Sequence, residues 1–228
     1  MKEFSPRTDI LPAAQLRLWR ELSAVPDEFV LYGGTAIALH LGHRTSVDFD
    51  FFCNRPLNLE ALEGSIPFLR DAKTIQREKN TLTAIVDRGE PVKVSFFGVP
   101  KLPRLAQPHV VKENDLKIAS LLDLAGAKAS VIQVRAEAKD YVDMDALLTS
   151  GKIDLPTALS AAQMLYGPSF NPEVTLKALS FFDDGNLQDL PKDLKQRLVD
   201  TVRQVDLDHL PPLDRNSSRS DDDYEQEI

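Results

Sequence analysis

The spacing of apolar positions changes several times along the chain, which predicts a mixture of strands and helices. Apolar positions three or four residues apart predict an amphipathic helix at 11–22. A short apolar run at 29–32 predicts a strand, and the segments 81–87 and 92–99 predict a hairpin. Further helices are predicted at 57–69, 116–148, 155–165, 172–182 and 191–205, the second with a kink near 136–138. This pattern predicts an α/β (α+β) chain whose second half is helical.

The segment 29–52, FVLYGGTAIALHLGHRTSVDFDFF, carries the most informative pattern. It predicts a strand, a Gly-Gly turn, a short helix and a second strand that contains Asp48 and Asp50. Residues two apart in a strand project from the same face, so these two carboxylates should lie side by side with Phe49 behind them. Adjacent carboxylates repel one another, and a divalent cation is the usual partner. The alternative, two edge carboxylates in water, is disfavoured because the surrounding run is apolar.

The Gly-Gly turn itself predicts a phosphate site. Gly33 and Gly34 add no side-chain bulk, and the helix that follows them begins with Thr35 and Ala36. Backbone N–H groups and the helix dipole at such a terminus favour an anion. We therefore expect the turn to hold phosphates that a cation on the two aspartates also contacts.

These residues resemble a known family. Gly-Gly, thirteen residues and Asp-x-Asp are similar to the signature of the DNA polymerase β nucleotidyltransferase superfamily. The string GGTAIALHLGHRTSVDFDFF resembles the AbiEii-type nucleotidyltransferases, toxins of toxin–antitoxin systems. The resemblance implies a mixed β-sheet flanked by helices, as a nucleotidyltransferase domain at 1–150 and a C-terminal helical region at 151–212. It also implies an NTP substrate and Mg²⁺ or Mn²⁺ held by Asp48 and Asp50.

The resemblance further assigns roles to individual residues. It implies that nucleotide is bound by Gly33, Gly34, Thr35, Arg44, Ser46, Arg135 and Lys139, and that the catalytic residues are Asp48, Asp50, Lys128 and Asp143. In an unbroken helix Lys128, Arg135 and Lys139 would lie within roughly 40° of one another. Lys128 lies among small residues, where it either extends its ammonium to solvent or reaches into a site. The alternative for Asp143 is an ion pair with Lys128 or Arg135.

One position departs from the pattern that the resemblance implies. The superfamily usually takes a third carboxylate from a neighbouring strand, and the matching position here is Ser95, within VKVSFF. A neutral hydroxyl cannot supply that charge. Two alternatives to nucleotide transfer onto RNA therefore stay open: a catalytically weakened nucleotide- or protein-binding module, and NMP transfer to a protein hydroxyl.

The composition and charge of the chain restrict the class of protein and the compartment that we expect. The 228 residues carry a net charge of −8, and the last fifteen, with six acids and two bases, contribute −4 of it. We expect 213–228 to be a disordered acidic tail. The single cysteine excludes an internal disulfide, and no apolar run is long enough to span a bilayer, so we expect a cytoplasmic protein without a membrane partner. The resemblance further implies a tRNA 3′ end as a candidate acceptor and a separate antitoxin as a candidate protein partner.

Overall fold

The structure, a computed structural model, describes residues 4–213. Within that range the chain forms two compact units. The first, which we call the sheet unit, comprises residues up to 103 and residues 108–119. The second, the helical unit, comprises residues 104–107 and those from 120 onward. The predicted acidic tail, apart from Leu213, lies outside the described residues.

The sheet unit is built on seven strands in the order β3-β4-β5-β2-β1-β7-β6. Their bounds are β1 Val30–Tyr32, β2 Asp48–Cys53, β3 Lys73–Glu78, β4 Thr81–Asp87, β5 Pro91–Gly98, β6 His109–Val110 and β7 Lys117–Ile118. Strand β2 runs antiparallel to β1 and parallel to β5. The sheet is therefore mixed, as predicted, and β2 occupies its centre.

One face of the central strands is buried and apolar, and the other carries polar side chains together with the rings of Phe52 and Phe97. Phe49 and Phe51 of β2 are fully buried, and the Phe51 ring stacks on Phe96 of β5 with centroids 5.2 Å apart. The alternate residues of β2, beginning with Asp48 and Asp50, are only partly buried. Burial of the aromatic face fixes the register of β2, because a shift of one residue would exchange its two faces.

Three α-helices belong to the sheet unit: α1 Ala13–Trp19, α2 Gly33–Leu41 and α3 Leu59–Ser65. Helix α2 ends at Gly42, whose positive φ of 67° is the usual left-handed helix end. Strand β3 was not predicted, because all six of its residues are exposed and show no apolar alternation. Strand β3 is held instead by its antiparallel pairing with β4.

Up to residue 213, where the described part of the chain ends, the helical unit contains five α-helices: α4 Leu121–Ile132, α5 Ala138–Thr149, α6 Leu155–Tyr166, α7 Pro172–Leu179 and α8 Lys192–Arg203. The Ser120 side chain caps α4 by accepting a hydrogen bond from the Asp123 amide at 3.0 Å. The Asp123 carboxylate accepts hydrogen bonds from the amides of Leu105 and Ala106, both at 3.1 Å. These contacts explain why 104–107 belongs to this unit.

Helices α4 and α6 pack closely through small residues. A Cβ atom on Gly126 would lie 2.9 Å from the backbone carbon of Ala161, so a larger residue at this position has no space. Ala125, Ala129, Ala158 and Ala162 are also buried. The small-residue run around Lys128 thus serves helix packing, and the lysine is carried on a rigid element.

The predicted helix at 116–148 is wrong at its start, and the predicted kink near 136–138 is a break between two helices. Residues 117–118 form β7, α4 begins only after Ser120, and 133–137 separate α4 from α5. Because α4 packs on α6 and α5, the compact units divide at 119/120, before the predicted boundary at 150. The extent of the nucleotidyltransferase domain itself stays a prediction. Among the described residues, no helix has the length and apolar content needed to cross a membrane.

Candidate active site

The glycine turn lies directly against one of the two predicted metal ligands. Strand β1 ends at Tyr32, and Gly33 follows with a positive φ of 76°. A Cβ atom added to Gly33 would lie 3.1 Å from Oδ2 of Asp50. The Tyr32 side chain does not cap α2. This position therefore needs glycine both for its backbone conformation and for the close approach of the carboxylate.

Thr35 and Ser46 connect α2 to the start of β2. Both side chains are buried, and their hydroxyl oxygens lie 2.7 Å apart in a hydrogen bond. The Thr35 hydroxyl also donates to the backbone carbonyl of Asp48. Both hydroxyls thus hold the start of β2 against α2. For either hydroxyl to make the predicted contact with nucleotide, it would have to change its hydrogen-bond partner. Thr35 could instead contact the nucleotide through its backbone amide.

Four side chains on the polar face of β2 and β5 form what we call the β2–β5 cluster: Asp48, Asp50, Lys93 and Ser95. Asp48 pairs in register with Lys93, and Asp50 with Ser95, so all four project to the same side. The Lys93 ammonium lies 2.9 Å from Oδ2 of Asp48. The predicted shared face of the two aspartates is confirmed, and Ser95 lies beside Asp50, at the position where the resemblance implies a third carboxylate.

The β2–β5 cluster fits a magnesium ion with two carboxylate ligands. Among the described residues there is no group of three or more His, Cys, Asp or Glu side chains able to hold a metal. Mg²⁺ commonly binds proteins through one or two carboxylates and takes its other oxygens from substrate phosphates and water. Asp48 and Asp50 supply such a pair, and the α2 N-terminus next to Asp50 is suited to phosphate.

Arg44 precedes the strand of the two aspartates. It is partly buried in the segment between α2 and β2 and donates a hydrogen bond to the carbonyl of Thr45 at 3.0 Å. Its place in this segment is consistent with the predicted nucleotide contact, which stays a prediction.

The other predicted site residues belong to the helical unit, where four of the charged side chains form what we call the Lys128 cluster: Lys128, Arg135, Asp140 and Asp143. The Lys128 ammonium lies 2.7 Å from Asp140 and 2.9 Å from Asp143. Arg135 donates two hydrogen bonds to Asp140, at 2.7 and 3.1 Å. Lys128 and both aspartates are buried. Asp143 thus makes the ion pair with Lys128 that the sequence left as the alternative to a catalytic role.

Electrostatics hold Asp140 ionised. Burial alone would raise the pKa of its carboxyl group, but the hydrogen bonds from Arg135 and the charge of Lys128 outweigh burial, and the pKa lies below its ordinary value. Lys139 is not part of this cluster. Its side chain is half exposed and pairs with Glu137 at 2.9 Å. The break between α4 and α5 removes the single helical face on which Lys128, Arg135 and Lys139 were predicted.

One functional candidate, Lys93, was missed from the sequence. Lys93 shares a strand face with Ser95, which the alternation of β5 indicates, but its ion pair depends on β5 lying parallel to β2. Asp140, within KDYVD, matches a motif position of the family that the sequence resembles, but its hydrogen bonds with Arg135 depend on the turn that brings Arg135 back onto α5. Neither pairing of elements can be read from local periodicity.

The fold and the two acidic residues beside the glycine turn are those expected of the nucleotidyltransferase class. Two solved structures support the fold. MenT4, the nucleotidyltransferase toxin Rv2826c of Mycobacterium tuberculosis H37Rv, is 14% identical with a TM-score of 0.57, over 86% of this chain and 83% of its own. A candidate nucleotidyltransferase from H. pylori is 18% identical with a TM-score of 0.53, over 83% of this chain and 92% of its own.

The chain belongs to the AbiEii family. Residues 17–219 match the family model for the nucleotidyl transferase AbiEii toxin of type IV toxin–antitoxin systems. A protein from Aquifex aeolicus (strain VF5), aq_aa25, is 32% identical over 162 residues, which are 69% of this chain and 75% of that protein. The resemblance seen in the sequence is thereby confirmed, and the protein is a transferase of the nucleotidyltransferase class.

Proposed function

We propose that this protein transfers a nucleoside monophosphate from an NTP to an acceptor hydroxyl, with a divalent cation held by Asp48 and Asp50. The observation that carries the proposal is the position of Asp50. Its carboxylate shares a strand face with Asp48 and lies against the backbone of Gly33, at the N-terminus of α2. Two oxygen ligands for a cation and a phosphate-binding helix terminus thus meet at one place.

The chain's own residues position the substrate for in-line displacement at the α-phosphorus. The amides of Gly33, Gly34 and Thr35 bind phosphate oxygens, and Arg44 and Ser46, from the chain segment before β2, bind the nucleotide as well. The acceptor oxygen forms the new P–O bond as the bond to the pyrophosphate leaving group breaks. A cation bound by Asp48 and Asp50 would neutralise charge on the transferring phosphoryl group.

Lys128, Asp143, Arg135 and Lys139 keep their roles as proposals that rest on the family resemblance. Lys128 would neutralise phosphate charge, Asp143 would orient or deprotonate the acceptor, and Arg135 and Lys139 would bind nucleotide. In this structure each of the four takes part in an ion pair. A role at the nucleotide therefore requires at least one of these pairs to exchange partners.

Label transfer from each α-³²P-labelled NTP tests the function. With Mg²⁺ and total tRNA we expect label at the RNA 3′ end. Transfer should fall at least about 100-fold in Asp48→Asn and in Asp50→Asn, because the charge of one ligand is lost. Asp71→Asn, which changes an exposed acid of the same unit, is the matched control and should transfer normally.

The outcomes separate the alternatives. Label that migrates with protein would replace the RNA acceptor by a protein hydroxyl while retaining the chemistry. No label from any NTP into RNA or protein, or transfer that survives both substitutions, would contradict the proposal. In cells we propose that the protein arrests growth unless a cognate antitoxin is present, and that Asp48→Asn abolishes the arrest.

A further inference from the structure

The ion pair between Lys93 and Asp48 occupies part of the proposed cation site. The two residues are register partners on β5 and β2, and the ammonium lies 2.9 Å from Oδ2 of Asp48. The side chains are 40% and 32% exposed, so a ligand from solvent can reach both. A cation that binds Asp48 through this oxygen must displace the ammonium.

Lys93 also changes the charge of the site. Within the β2–β5 cluster, Asp48 and Asp50 carry two negative charges, and the Lys93 ammonium brings the net charge of the cluster's side chains to −1. Ser95, the register partner of Asp50, adds a hydroxyl and no charge. A site with this balance attracts a free divalent cation less strongly than two unopposed carboxylates would. It also holds a positive group ready for an incoming triphosphate.

We propose that Lys93 keeps Asp48 occupied in the nucleotide-free protein, so that the site takes up its divalent cation together with a triphosphate rather than alone. On binding, the cation replaces the ammonium at Asp48, and Lys93 pairs with a phosphate oxygen. A partly exposed ion pair contributes little net stability, so this exchange of partners is readily reversible. The inference rests on the proposed function, because it assigns Asp48 to the cation.

The chain offers a matched control for the charge of Lys93. Lys73 on β3 pairs with Ile85 of β4, which in turn pairs with Lys93. Lys73 therefore lies on the same sheet face, two strands and about 10 Å away. Lys73→Met removes the same charge from this face and leaves the ion pair with Asp48 intact.

Mn²⁺ binding followed by electron paramagnetic resonance provides a test that does not depend on turnover. Without nucleotide, we expect Lys93→Met to bind Mn²⁺ about tenfold more tightly than the unmodified protein, and Lys73→Met to match the unmodified protein. With an α,β-methylene NTP analogue, the unmodified protein should gain more Mn²⁺ affinity than Lys93→Met does. Equal Mn²⁺ affinities for the unmodified protein and Lys93→Met without nucleotide would overturn the inference.

Further measurements separate a failure of this inference from a failure of the proposed function. If the analogue promotes Mn²⁺ binding and Asp48→Asn abolishes that binding, the proposed cation site is supported. The Mn²⁺ affinities of the unmodified protein and of Lys93→Met without nucleotide then decide the inference about Lys93. If no Mn²⁺ binds with or without the analogue, both proposals fail. Lys93→Gln repeats the comparison with a polar side chain of similar reach, in case Lys93→Met does not fold. Added Mn²⁺ should raise the melting temperature of the Lys93 variant more than that of the unmodified protein.

Discussion

At the scale of single residues, Gly33 makes the sharpest contact in the candidate site. A methyl group there would press on Oδ2 of Asp50 from 3.1 Å, and the backbone φ of 76° would be strained for alanine. We expect Gly33→Ala to lower the free energy of unfolding by about 1–2 kcal/mol. We also expect its transfer activity to fall at least about tenfold, because the Asp50 carboxylate is displaced. Urea denaturation and the label-transfer assay measure the two effects.

Gly151 is the matched control for backbone strain. Its φ is 72°, and a Cβ atom added there would meet nothing within 4 Å. Gly151→Ala should therefore show a similar loss of stability with unchanged transfer. Equal transfer by the two variants would show that the close approach of Gly33 to Asp50 has no functional consequence.

Strand alternation alone correctly predicts that Asp48 and Asp50 share a face, because β2 is buried on its aromatic side. It could not predict how the hydroxyls of Thr35 and Ser46 are used. Their mutual hydrogen bond forms only when the segment after α2 returns along β2. Partners of polar side chains are chosen by tertiary structure, which local sequence patterns do not encode.

At the scale of elements, the Lys128 cluster couples α4 to α5 through buried charges. Removing the ammonium in Lys128→Met leaves Asp140 with Arg135 alone and takes a buried partner from Asp143. We expect a loss of about 3–5 kcal/mol in unfolding free energy, the usual cost of breaking a buried ion pair. Far-UV circular dichroism during urea denaturation reports the helices concerned.

Lys139→Met is the control for this substitution. Its ammonium pairs with Glu137 on the surface, and the side chain is half exposed, so the change should stay within about 0.5 kcal/mol. A Lys128→Met variant as stable as Lys139→Met but inactive in transfer would show that Lys128 serves catalysis rather than the fold.

The elements that the sequence predicts well are those with strong periodicity or clear end signals. The hairpin of β4 and β5 is found almost as predicted, and α6 starts with the Asp154 cap and Pro156 in its first turn. Strands β6 and β7 are two residues each, and β7 pairs with β1 through Leu31 and Ile118. A strand of two residues forms because it pairs with a neighbouring strand, and it is too short to show an alternating pattern in the sequence.

At the scale of the whole molecule, the division of the chain follows packing rather than sequence order. The predicted boundary at 150 would separate α4 from α6, yet Gly126 and Ala161 bring these helices into close contact. Asp123 in turn ties residues 105 and 106 to the helical unit, although they lie within the sheet unit's span of sequence. Contacts between small residues and a buried carboxylate thus decide which unit a segment joins.

The acid stability of the protein should depend on Asp140. Its folded-state pKa is lowered, so its ionised form stabilises the fold fully above the unfolded value of about 3.9. That contribution is lost as the pH falls through the folded pKa, because the unfolded chain then binds the proton more readily. Through this group, we expect the urea midpoint of the helical circular dichroism signal to change little between pH 7 and 5. At pH values below about 4, we expect this midpoint to decrease.

Two substitutions isolate this contribution from that of other acids. Asp140→Asn should lower the urea midpoint at neutral pH, since Lys128 and Arg135 lose a charged partner. The midpoint of this variant should also depend less on pH between pH 5 and 3. In Asp193 the pKa is also lowered, by a hydrogen bond from Arg197, but its side chain is 74% exposed. Solvent screens that pair, so Asp193→Asn should leave the acid dependence nearly intact. An unchanged slope in Asp140→Asn would mean that acid sensitivity arises from groups other than Asp140.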